Sequence, residues 1–153
     1  MEELFAYFFE FFGSPLYSDD LVDHLRGYGI ECDGNYNGTH WYFTVGWAMI
    51  GITGFFYALQ YHIIDSVKFY KRIHWWLNAL VIVVLNFSLA FGGIYNEVSS
   101  ENFCNELVIS TSDCINFGMS VGLWSLIIFM LLTSFPFPRI FSTNCNHTTF
   151  WKP

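Results

Sequence analysis

Charge is what this chain has least of, and the little it has is one-sided. Only 12% of the 153 residues are Asp, Glu, Lys or Arg, against about a quarter in an ordinary soluble domain. Six bases stand against 13 acids, a formal net charge of −7. So acidic a chain argues against a nucleic-acid partner. Chemistry-bearing patterns are missing as well: no nucleophile, base and orienting group share a recognisable frame, and no phosphate-cradling glycine loop follows a strand. No pair of histidines inside an apolar run suggests haem. We therefore expect a non-enzyme with no cofactor. Internal repeats, low-complexity tracts and lipidation boxes are absent, and Cys145 lies too far from the end for prenylation. The opening MEELFAYFFEFFG has acids where a secretory signal needs bases, so no signal peptide is expected.

What the chain has instead is apolar length. Hydrophobic residues make up 54% and aromatics 22%, and they are gathered into runs. Residues 75–95, WWLNALVIVVLNFSLAFGGIY, carry no charge at all. At about 1.5 Å per residue, that stretch just crosses a hydrocarbon core of roughly 30 Å. Two more stretches read the same way, at about 41–61 with Trp41, Tyr42, Tyr57 and Tyr61 as interface anchors, and at about 118–135, stopped by Pro136 and Pro138. The expected fold is an all-α integral membrane protein of three transmembrane helices, one membrane domain over 1–153. Its parts are an outer N-terminal segment 1–40, a bundle 41–138 and a cytoplasmic tail 139–153.

The N-terminal segment is expected to hold two short helices. Residues 4–12 are apolar but too short to span, which points to an interfacial or re-entrant helix with Glu3 and Glu10 on one face. Ser18 is placed to cap a second helix, Asp19 and Asp20 to favour its first turn, and Gly27 to stop it. Turns follow from Tyr28 to His40.

Basic residues set the orientation. With three spans and the N-terminus outside, Lys68, Lys71, Arg72, Arg139 and Lys152 are cytoplasmic and Arg26 alone is outside. The outer segments then hold 12 acids and 1 base, a formal −11, and the inner ones 5 bases and 1 acid, a formal +4. The expected location is a bacterial inner membrane, with the C-terminus in the cytoplasm.

Cys104 and Cys114 are ten apart in the loop after the second span, the natural disulfide on the outer side, although Cys32 could take either as partner. Asp33, Asn35 and Asn37 match the first half of a calcium loop, but Thr44 stands where the bidentate Glu belongs, so the run is read as an Asx-rich turn and at most a weak metal site. Asn37-Gly38-Thr39 is also a glycosylation sequon, which matters only in a eukaryotic secretory context. His62, His74, Cys145 and His147 are zinc-type ligands without a finger's spacing.

Lipid gives helices no hydrophobic reward for associating, so small and amide side chains must supply the contact. Thr44, Ala48, Gly51, Gly54 and Ala58 form such a stripe on the first span. Ala79, Asn86, Ala90 and Gly93 form one on the second, and Gly118, Gly122 and Ser125 one on the third. The expected partners are the lipid bilayer and further copies of the chain, or a larger membrane complex. The sharpest functional reading is a cation-permeable channel lined by Asn78, Asn86 and Ser88, with an acidic outer mouth of Glu97, Glu101, Glu106 and Asp113. The alternative is a scaffold, accessory, immunity or defence subunit.

Overall fold

The computed structural model describes residues 2–11, 16–29, 32, 35–63, 71–100 and 103–134. Helices are the only regular elements among them: α1 Glu2–Phe9, α2 Asp19–Leu25, α3 Trp41–Ala58, α4 Arg72–Ser99 and α5 Thr111–Ser134. A π-helical turn, Leu59–Ile63, extends α3. Three helices are long and apolar enough to cross a membrane: Trp41–Ile63, Arg72–Ser99 and Thr111–Ser134.

Two of the three outrun the apolar stretches that predict them. α4 has 28 residues, about 42 Å of helix: it runs through Gly92 and Gly93, and no Pro follows to stop it at Tyr95. It continues to Ser99, and the Ser100 hydroxyl then donates to the Asn96 and Glu97 carbonyls. α5 begins at Thr111, seven residues before the expected Gly118, because Ser110-Thr111-Ser112-Asp113 is a capping box. The Ser110 N–H and hydroxyl donate to the Asp113 carboxylate at 3.1 and 2.6 Å, and the Asp113 N–H returns to Ser110 Oγ at 3.3 Å. The signal is plain in the sequence once one looks upstream of the apolar run.

α4 runs antiparallel to α3. Trp41 meets Gly93 and Glu97 at one end of that pair, and Phe56 and Gln60 meet Asn78 at the other. α4 and α5 share the most extensive interface. Gly118 lets Phe87 and Phe91 approach so closely that a Cβ there would stand 3.0 Å from the Phe87 ring, and Gly122 takes Val83 in the same way. One cluster of buried apolar residues lies toward the α2 end of the bundle, around Phe9, Tyr42, Ile94 and Phe117. A smaller one lies toward the far end, around Trp75, Ile82 and Phe129.

α1 packs one apolar face on protein. Phe5, Ala6 and Phe9 are buried on α3 and α5, with the Phe5 ring in the notch over Gly46, where a Cβ would come within 2.5 Å of it. Phe9 meets Phe117 edge to face at 5.9 Å, and Ser120 donates its hydroxyl to the Phe9 carbonyl at 2.9 Å. An aromatic helix too short to span thus buries its payload on protein. α2 is as expected: Ser18 caps it through Leu21 N, Asp19 and Asp20 occupy its first turn, and Gly27 follows at φ +93°, a left-handed value suited to glycine.

Candidate functional site

At the α2 end, the loops and short helices form a polar cap held by long-range bonds. Glu97, near the end of α4, accepts Trp41 Nε1–H at 2.6 Å and faces His24 Nε2 of α2 at 3.1 Å. Asp113 accepts the Ser18 N–H at 3.1 Å, Asp20 accepts the Val108 N–H at 3.0 Å, and Tyr17 and Tyr42 join hydroxyls at 3.0 Å. Burial pulls the His24 imidazole below its ordinary pKa, against the opposing charge and hydrogen bond of Glu97.

The expected disulfide is corrected here. Cys104 pairs with Cys32, Cα to Cα 5.4 Å, and Cys114 is a buried free thiol. Ten residues suggested a loop spacing, but the Ser110 capping box commits Cys114 to the first turn of α5, where its side chain enters the core. The bridge ties the segment before α3 to the segment between α4 and α5.

The four acids expected to line a mouth do not act alike. Glu97 and Asp113 are engaged in the bonds just described, Glu106 is exposed, and Glu101 lies outside the described residues. Asn86 is buried, but its amide donates to Ile82 O of its own helix at 3.0 Å, and its Oδ1 has no partner among the described residues. Asn78 donates to Gln60 Oε1 at 2.6 Å, tying α4 to the π-helical turn. Ser88 is exposed, two residues round the helix from Asn86 and so on nearly the opposite face. Asn78, Asn86 and Ser88 therefore do not share one face within a single copy. Two buried hydroxyls serve their own helices: Ser125 bonds Gly122 O and Thr133 bonds Phe129 O.

The small-residue stripes part company. Gly93 lies under the Trp41 ring, and Gly118 and Gly122 hold α4 against α5. A Cβ on Gly51 or Gly54 would meet nothing within 4 Å. Thr44 and Gly51 are exposed, as are Trp47 and Phe55 beside them. Of the calcium-type run, Asn35 and Asn37 are exposed and Asp33 lies outside the described residues. Of the zinc-type group, Cys145 and His147 also lie outside. No cluster of three metal-ligating side chains occurs among the described residues.

Sequence reasoning missed a cavity of about 610 Å³ in the cap, lined by Glu3, Ala6, Tyr7, Glu10, Arg26, Tyr36 and His40. Glu10 is buried and paired with Arg26, whose Nη2 donates to both carboxylate oxygens at 3.0 and 3.1 Å. Burial works against the guanidinium charge, but the Glu10 hydrogen bond and carboxylate outweigh it and hold the pKa above its ordinary value. The hint in the sequence is Glu3 and Glu10 on one face, together with Arg26 as the lone Lys or Arg of residues 1–40.

Among the described residues these features make a helical fold with three candidate membrane helices and a disulfide-stapled polar cap. No family model, curated protein or solved structure matches the chain.

Proposed function

We propose that this is a multi-pass integral membrane protein, non-enzymatic, that works by assembling with copies of itself through α3. Its N-terminus and cap face the outer, oxidising compartment and its basic loop faces the cytoplasm. Two independent features support that orientation: the excess of Lys and Arg on one side, and a disulfide on the other, where such bonds persist.

The observation that carries the assembly reading is the open space over Gly51 and Gly54. The other small-residue stripes are occupied within the chain, and this one faces outward. Copies in one membrane share an orientation, so a two-fold axis along the membrane normal sets α3 parallel to its partner. Thr44, Gly51 and Ala58 recur every seven residues, the spacing of a left-handed helix pair crossing at about 20°.

Conduction is the weaker version of this reading. Asn78 and Asn86 are engaged inside the bundle, so a pore would have to form between copies. Cysteine cross-linking in nanodiscs tests the interface. Gly51→Cys is expected to give covalent dimers on mild oxidation, and Leu85→Cys, exposed on α4, is not. Equal cross-linking at both positions would remove the assignment to α3.

A further inference from the structure

The cavity in the cap has a mixed ionic lining that the assembly reading does not use. Its charged wall groups are Glu3, Glu10 and Arg26, a formal −1 with His40 neutral. Arg26 spends only Nη2 on Glu10, and its Nε and Nη1 make no hydrogen bond to the described residues. The side chain is 48% exposed while Glu10 is 9%, so the unused edge of the guanidinium is open. The residue is also fixed in place: its backbone carbonyl meets His40 Nδ1 at 2.9 Å, and the adjoining Gly27 packs against His40 and Gly38. A planar guanidinium with a free edge suits an oxyanion. The net negative lining disfavours a ligand that is only an anion, and a ligand that is only a cation leaves that edge unused.

We infer that this cavity binds a zwitterion that joins a phosphate to an ammonium, and that the source is an aminophospholipid headgroup. The phosphate meets the Nε and Nη1 donors of Arg26. The ammonium meets the Glu3 carboxylate, with the half-exposed rings of Tyr7 and Tyr36 offering cation–π faces. The lipid source rests on the membrane reading above: His40 immediately precedes the first residue of α3, and Leu4, beside Glu3, is exposed, which puts the cavity at headgroup level.

The test uses the full chain. In detergent, ligand-observed NMR titrations compare glycerophosphoethanolamine, a diester like the lipid headgroup, with ethanolamine and with inorganic phosphate. The zwitterion is expected to bind saturably and about tenfold tighter than either half, the ratio that one charge-assisted contact supplies. Arg26→Lys keeps a cation for Glu10 but loses the planar edge, and Glu3→Gln alters an exposed carboxylate; each is expected to reduce that advantage. Glu106→Gln, exposed elsewhere, is expected to leave it unchanged. In nanodiscs, native mass spectrometry should show phosphatidylethanolamine retained over phosphatidylglycerol. Absence of saturable binding, or ethanolamine binding as well as the zwitterion, overturns the site. Binding of the soluble zwitterion without lipid retention overturns the lipid source. Partition of the chain into vesicles reports on the membrane reading separately, since the soluble titrations do not depend on it.

Discussion

His24 shows what a single side chain does in this cap. It is 6% exposed on α2, and it reaches across to Glu97 on α4, which also holds Trp41 of α3. Burial lowers its pKa from 6.5, so above that value it is neutral whether the chain is folded or not. Below 6.5 the unfolded chain takes up the proton first, and the folded state loses stability as pH falls. The thermal midpoint is expected to drop between pH 7.5 and 5, by less in His24→Gln than in the parent. Parallel curves for the two proteins would show that His24 does not contribute to the acid sensitivity. Cys114 is the second residue-scale case. Maleimide is expected to label it only after unfolding, and Cys32 and Cys104 only after reduction, as a mass shift of tryptic peptides will record. Labelling of native Cys114 would contradict its burial. The pairing could not be read from spacing, because Cys32 is 72 residues from Cys104 and only the folded cap brings them together.

At the scale of the element, the legible parts were those governed by local chemistry. The apolar runs located three helices, and Ser18, Asp19, Asp20 and Gly27 delimited α2 as capping rules require. The start of α5 is equally local, in the Ser110–Asp113 box, which lies upstream of the apolar run and carries no hydropathy signal of its own. Docking was not legible. Nothing in LFAYFFEFF says that Phe5 fits over Gly46, since that notch exists only once α3 is formed. Glycines with filled and open surroundings should therefore behave differently on substitution. Gly46→Leu is expected to expel α1 and cost roughly 1–3 kcal/mol, as overpacking does. Gly93→Leu, under the Trp41 ring, is expected to cost a similar amount. Gly92→Leu, on α4 where a Cβ would meet nothing within 4 Å, is expected to leave unfolding unchanged. Equal costs at Gly46 and Gly92, measured by denaturation in detergent, would contradict the docking of α1 over Gly46.

For the whole molecule, the acids are the instructive group. Counted along the chain, 12 of the 13 fall in the segments expected on one side of the three spans, which suggests a cation-attracting mouth. In the fold several are structural ties: Glu10 to Arg26, Asp20 to the Val108 amide, Glu97 to Trp41, Asp113 to Ser18. Formal charge survives that use, but freedom to line an opening does not. The small-residue stripes divide in the same way: those on α4 and α5 build one copy, and the one on α3 is left open over Gly51 and Gly54. Assembly through that α3 face, as proposed above, fixes the mass of the solubilised particle. Native mass spectrometry of the chain expressed alone, in nanodiscs, is expected to show a discrete closed oligomer, and Gly51→Leu is expected to reduce it to a folded monomer. A monomeric parent, or an oligomer indifferent to Gly51→Leu, would contradict it.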